Sequence, residues 1–451
     1  MSASSSSSSS SSSQDGNGGA YVPGRRGGDF EGPSSSRRRA LNEVWPEPFL
    51  EALATQVAID ASRSSGRLAA APALANVFQV CSTWRAVSRS DLLWQRLTSQ
   101  VWGRTLLLQA TWRDEFLYRH QTARNFQTGR YMHVTLHYDQ SDIDDSEGLM
   151  CRCLALSDLY LACGFADGTV RIFDLATHRH INTFRSQHPH RFGRFSRAVS
   201  GIFITGSRLV FATLDGYIYV VVINGSNQPR PAHMGDVVND GALVDFAGSG
   251  RWWVGLYAGV PGRAFHIWDA HTEELVFVGG TLTDPESVMG WHMLIELTEF
   301  VGRVRVTSQE SAVACTRLRE IVFDLREQVV VRRDKQHRRG VIATTVDVNN
   351  EAYVVVDSRG LAIVRQVDSL EQVCRFRVPG AAQGNIMGCM NSGYALICVA
   401  GIISVWEIKQ GGYLYNFRER MEGVNTIVVD ERHMAALDND NIIHLWDFGA
   451  Q

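Results

Sequence analysis

Two runs of arginine are the residues of this chain best placed to do chemistry. Arg185, Arg191, Arg194 and Arg197 are interleaved with Phe192 and Phe195, and Arg332, Arg333, Lys335, Arg338 and Arg339 form a second cluster. A guanidinium is a planar fork that meets a carboxylate or phosphate through two parallel hydrogen bonds, so such clusters suit the capture of an acidic or phosphorylated segment. The plainer alternative is a set of solvated loop charges. Arg191, Arg194, Arg197, Arg332, Arg333, Arg338 and Arg339 are therefore the expected substrate-binding set. His178, His180, His188 and His190 also lie close together, but no acidic or thiol partner adjoins them. They read as solvated loop histidines and not as a metal site. There is no Gly-Lys dipeptide and hence no phosphate-binding loop of that type, and no His-Glu-x-x-His or Gly-x-Ser-x-Gly element. No catalytic residue, metal or cofactor is expected, and the chain is not read as an enzyme.

The elements that position these residues repeat along the chain. From Tyr131 onward the unit is a strand, a second strand, a tight turn and a third strand ending in an aromatic residue and Asp. Arg171-Ile172-Phe173-Asp174, Phe265-His266-Ile267-Trp268-Asp269, Ile321-Val322-Phe323-Asp324, Ile403-Ser404-Val405-Trp406-Glu407 and Ile443-His444-Leu445-Trp446-Asp447 are the clearest copies. Asp215-Gly216 and Arg359-Gly360 introduce two more that lack the terminal pair. The spacing of roughly 40 to 55 residues is that of four-stranded propeller blades, and seven copies are counted. Asp167-Gly168 and Asp215-Gly216 suit a two-residue hairpin turn with positive φ at both positions. The last copy lacks a fourth strand. The alternating segment Tyr131–Tyr138 precedes the first copy and can fill that place, closing the ring without an open edge. On this arrangement both arginine clusters lie in loops between blades and emerge at one end of the propeller.

Upstream the period is helical. Trp45-Pro46-Glu47-Pro48-Phe49-Leu50 opens a helix, where proline is tolerated in the first turn. Phe49, Leu53 and Val57 continue one stripe, with Leu50 beside it. Asp60 to Gly66 is polar and reads as loop. Val77, Val80, Cys81 and Trp84 recur at intervals of three and four, one face of a helix. Ser90 can cap a further helix carrying Leu93, Trp94 and Leu97. Trp112 to Arg119 reads as a helix that Arg124-Asn125-Phe126 and Gly129 close. The expected organisation is a Ser/Gly-rich tail over 1–43, a helical module over 44–100, a helical linker over 101–130 and a propeller over 131–451.

Bulk properties agree with a large folded protein. The chain has 451 residues, 45% of them hydrophobic, which is ample for a core. A formal net charge of −3 gives no general attraction to nucleic acid. The eight cysteines form no disulfide framework, and Cys151 with Cys153 is too small a set for zinc, so reduced intracellular thiols are expected. No apolar run is long enough for a membrane span, and the serine-rich start is no signal peptide. The tail is expected to be disordered. Its Arg25-Arg26 and Arg37-Arg38-Arg39 have the spacing of a bipartite nuclear signal. Only Lys335 and Lys409 are lysine among the 44 basic residues. Codon bias is the simpler cause. Scarcity of ubiquitin-acceptor sites is the functional alternative.

Val80-Cys81-Ser82-Thr83-Trp84-Arg85 followed by Leu92-Leu93-Trp94 resembles the second half of an F-box. An F-box ahead of a propeller resembles the F-box/WD-repeat substrate receptors of cullin-based ubiquitin ligases. Trp45 to Leu50, Ala71 to Phe78, Thr122 to Phe126, Gly164 to Arg171 and Arg191 to Ser200 are similar to plant regulators of that kind. The resemblance implies an α+β multidomain protein, a small α-helical F-box followed by an all-β seven-bladed WD-type propeller. It implies a nuclear regulator of transcription and of flower and organ development. It also implies a Skp-type adaptor and through it a cullin as partners, with a growth-restraining transcriptional repressor as cargo. Pro46, Phe49, Leu50, Leu53, Val80, Cys81, Trp84, Leu93 and Trp94 are the expected adaptor-binding residues. The alternative is a propeller scaffold for corepressors that acts without ubiquitination. Direct DNA binding is disfavoured, since no recognition-helix motif is present.

Overall fold

The structure is a computed structural model that describes residues 45–138, 150–186, 192–225, 228–297, 301–326, 330–337, 343–381 and 385–449. The tail 1–43 and its arginines, His188, His190, Arg191, Arg338 and Arg339 lie outside the described residues. In the short N-terminal unit, Phe49 and Leu50 donate backbone N–H groups to the Pro46 carbonyl at 2.9 and 3.2 Å. Proline ahead of a first turn loses nothing, because its missing N–H would have had no partner. The Trp45 and Phe49 rings stack at 4.5 Å, and both are exposed.

The helices ahead of the propeller are α1 (Glu47–Ser65), α2 (Ala70–Phe78), α3 (Ser82–Ala86), α4 (Asp91–Trp102) and α5 (Trp112–Thr128). Two expectations are corrected here. Asp60 to Ser65 is not loop; it is the last part of α1. The polar residues there are helix-compatible and solvent-facing, Gln56 bonds Asp60 one turn on at 2.8 Å, and the helix stops only before Gly66, whose φ is +94°. The apolar set Val77, Val80, Cys81 and Trp84 is not on one helix. α2 ends at Phe78, and Cys81 is extended (φ −162°, ψ 178°) as the N-cap of α3. The run Val80-Cys81-Ser82-Thr83 consists of weak helix formers, which lets the chain turn there. Ser90 does cap α4, its hydroxyl accepting from Leu93 N–H at 3.4 Å. Thr111 caps α5 at 3.1 Å, and Gly129 ends it in the left-handed conformation at φ +67°.

Seven four-stranded antiparallel sheets follow. Six are continuous in sequence: 151–185, 199–233, 242–279, 302–336, 343–377 and 386–416. The seventh contains three strands from residues 426–447 and one from Met132–Leu136. Met132 pairs with Asp447 and Leu136 with Ile443, so the first strand of the propeller closes the last blade. Leu136, Leu437, Ile443 and Leu445 pack in one cluster with Leu154, Leu161 and Phe165 of the first blade. Trp253, Trp268, Trp446, Tyr219, Tyr257 and Tyr353 are among the largest fully buried side chains. The aromatic residue before the terminal Asp thus fills the space between sheets. The Asp itself takes backbone N–H groups of the following turn, as Asp269 does from His271 and Thr272 at 2.8 and 3.1 Å.

The Asp-Gly turns differ from expectation. Only the glycine has positive φ, +83° at Gly168 and +87° at Gly216. Gly168 N–H donates to the Phe165 carbonyl at 3.2 Å, so the connection Ala166-Asp167-Gly168 has three residues. Asp167 stays in the ordinary region because its carboxylate accepts from Thr169 N–H at 2.8 Å and holds the turn from inside. No helix among the described residues is long and apolar enough to cross a membrane.

Candidate functional site

The sequence-predicted adaptor residues divide by burial. Pro46, Phe49, Val80 and Cys81 are exposed, and Leu53 and Trp84 are half-buried. Leu50, Leu93 and Trp94 are buried in the free chain. On α4 the stripe that turns inward is Leu93, Leu97 and Val101 at intervals of four, beside Trp94, Thr98 and Trp102. Trp94 packs its ring against Phe78 and Phe116 at 6.2 and 5.3 Å and donates its indole N–H to the Ser88 carbonyl at 2.7 Å. These residues build the module's own core. The neighbour Leu92 points the other way. It is 58% exposed, against 0% for Leu93 and 61% for Val80. Leu92 is a surface residue that the sequence reading missed, although the four-residue stripe of α4 already excludes it from the core. The module thus has a completed interior and, separately, exposed aliphatic side chains.

The arginine clusters are not brought together. Arg194 and Arg197 precede the innermost strand of the second blade, in the loop between blades. Arg194 is exposed and lies over the Phe195 ring at 5.2 Å, and Arg197 is half-buried. Arg332 and Arg333 do not lie in such a loop. They belong to the outer strand Val330–Gln336 of the fourth blade, where Arg333 pairs with Val322. Val-Val-Arg-Arg-Asp-Lys can lie as an edge strand with its charges in solvent, which is why the segment that read as loop extends the sheet. Arg332 also binds Asp324 and Asp368 at 3.2 and 2.8 Å. Both carboxylates flank turns at the end of the blades opposite the inter-blade loops. One shared basic end is therefore not formed by the described members of the set. His178 sits in a turn at φ +58°, and His180 is on the first blade's outer strand, within 2.9 Å of the Thr183 hydroxyl.

The helices after residue 50 are fastened to the sixth and seventh blades. Phe126 of α5 stacks on Phe448 at 3.6 Å and on Tyr394 at 5.6 Å. Asn125 donates its amide to the Phe448 carbonyl at 2.7 Å, and the Tyr394 and Tyr415 hydroxyls donate to the carbonyls of Ala123 and Phe126 at 3.1 and 2.8 Å. Arg67 meets Glu431 at 2.9 Å. Arg67, with the Ser392 hydroxyl and N–H groups, holds the Glu431 carboxyl below its usual range against the opposing effect of burial. Lys409 donates to the Arg63 and Ser64 carbonyls at the end of α1, where a cation also meets the negative end of the helix dipole. Glu115 and Arg119 make a buried pair at 2.8 Å on α5, and Glu115 also accepts N–H groups from Leu108 and Gln109. Apolar stacking, neutral hydrogen bonds and paired charges all act across this junction.

A small helical module with open apolar residues, fixed to a seven-bladed propeller closed by its own first strand, defines the class of protein. Across 433 residues the chain is 61% identical to the transcriptional regulator STERILE APETALA of Arabidopsis thaliana, covering 95% of this chain and 97% of the relative. It belongs to the STERILE APETALA family. Among solved structures, U3-55K aligns with a TM-score of 0.51 over 70% of this chain and 98% of that one; at 13% identity this speaks for the propeller fold alone. No protein-family model matches the chain.

Proposed function

We propose that this chain is the non-catalytic substrate receptor of a Skp-cullin-F-box ubiquitin ligase, acting in the nucleus on regulators of transcription. The observation that carries the reading is the division of labour in the helical module. Leu93, Trp94, Leu97 and Phe116 complete its core, yet Val80 and Leu92 remain exposed, and Cys81 and Trp84 lie between them in sequence. Contiguous exposed apolar area marks a docking surface, and this reading takes Val80 and Leu92 as parts of one. Trp45 and Phe49 supply further exposed apolar area in the N-terminal unit. In this role the propeller carries cargo, and the ligase supplies the chemistry by bringing a conjugating enzyme close to cargo lysines. A growth-restraining repressor complex is the cargo this reading assigns to the propeller.

The name of the Arabidopsis relative, a transcriptional regulator, favours a second reading, a transcriptional scaffold whose helical module serves only to brace the propeller. Changing Val80 and Leu92 together to Asp separates the two. Under the receptor reading, association with a purified Skp-type adaptor falls by roughly tenfold or more and cargo abundance in plant nuclei rises. The thermal midpoint stays within a degree or two of wild type, since both side chains are exposed. A wild-type protein that associates with no Skp homologue would end the receptor reading.

A further inference from the structure

The innermost strands of all seven blades surround a central cavity of about 510 Å³. Its charged lining residues are Arg152, Asp245, Arg303, Arg305 and Asp347. Three guanidinium groups therefore face two carboxylates. Both carboxylates are already engaged by one arginine. Arg305 meets Asp245 and Asp347 at 3.2 Å each. Asp245 also accepts the Val304 N–H at 2.7 Å, and Asp347 the Met390 N–H at 2.8 Å. Arg152 and Arg303 are left over, and neither makes an ion pair or a side-chain hydrogen bond to the described residues. Nη1 of Arg152 is buried and unsatisfied. The placement of Arg152 is built into the sheet. The register of the first blade jumps between Cys151 and Cys153, so Arg152 is the additional residue of a β-bulge, a device that re-aims a side chain.

Three guanidinium groups share two carboxylates, so the channel lining carries one positive charge in excess, and an anion bridging Arg152 and Arg303 removes that imbalance. We infer that the central channel is a binding site for a small phosphate- or carboxylate-bearing anion, held by Arg152 and Arg303 while Arg305 is kept in place by Asp245 and Asp347. The volume is that of a small-molecule site, and it is walled by the strands themselves. The occupant is accordingly a free anion and not a side chain of a partner protein. Burial lowers the basicity of both Arg152 and Arg303, in keeping with a site that gains from a bound negative charge.

Calorimetric titration of the full chain with inorganic pyrophosphate, and in parallel with citrate, tests this. At least one of the two is expected to bind saturably and to raise the thermal midpoint. Arg152→Gln and Arg303→Gln should each weaken binding by roughly tenfold or more, since each removes a charge-assisted fork. Arg332→Gln, at a blade edge, should leave it unchanged. Without ligand, Arg303→Gln should hold or raise the thermal midpoint, because it removes the excess positive charge of the channel lining. If the glutamine variants do not fold, Arg303→Lys and Arg152→Lys take their place; they keep the charge, lose the fork and should still weaken binding. The inference is overturned if neither anion binds, if binding survives all substitutions at Arg152 and Arg303, or if an acidic peptide binds while neither small anion does.

Discussion

His266 shows what one side chain costs a propeller. It is fully buried in the third blade and stacked on Tyr257 at 4.1 Å. Burial lowers its pKa to about 4, against the opposing pull of Asp240 and with help from Arg263 and His233. The native state keeps the imidazole neutral, whereas the unfolded chain protonates near the ordinary value of about 6.5. More protons are therefore bound on unfolding between those two values, so this contribution is intact above pH 6.5 and is lost as pH falls toward 4. Burial also lowers His133 and His337, which act in the same direction. The thermal midpoint should drop between pH 7 and pH 5, and His266→Phe should shallow that slope. An equal slope in the variant would show that the site is silent. None of this was legible in the sequence, where His266 is only the second residue of the copy Phe-His-Ile-Trp-Asp.

At the scale of elements, patterning and capping residues read well, and phase read less well. Ser90, Gly129 and the aromatic-Asp pairs mark helix starts, a helix end and blade strands because each meets a local backbone demand. That Leu93 is buried and Leu92 exposed is hard to read from the sequence, because two adjacent leucines differ only in helical phase, and the 100° between them decides core or solvent. Arg332 and Arg333 were placed in a loop because polar edge strands look like loops. The channel charges Arg152 and Arg303 are invisible in the sequence because they lie 151 positions apart and meet only through ring closure. Gly129 offers a sharp test at this scale. Its φ is +67°, and a Cβ there would meet the Tyr415 ring at 3.2 Å. Gly129→Val should destabilise by about 2 kcal/mol, combining left-handed strain with crowding, and should lower the urea midpoint. An unchanged midpoint would mean that the end of α5 contributes little to holding the sixth blade.

At the scale of the molecule, the organisation into helices and then seven closed blades was read correctly, because repeats announce themselves by their period. The junction between α5 and the last blades was not, since it joins residues distant in sequence. That junction should govern cooperativity. Phe126→Ala removes the ring between Phe448 and Tyr394 and is expected to cost about 3–5 kcal/mol. Calorimetry should then resolve separate melting of the helices ahead of the propeller, where wild type melts in one step. A single sharp transition in the variant would show that the polar contacts suffice.

The bond from Asn125 to the Phe448 carbonyl spans 323 positions. A ribosome makes the helix that needs this support long before it makes the support. For the whole interval the nascent chain carries Phe126 without its resting place and the strand Met132–Leu136 without its ladder partner. A stop codon anywhere ahead of the seventh blade would thus leave both ends of the product unfinished, and quality control would meet two exposed surfaces for a single lesion.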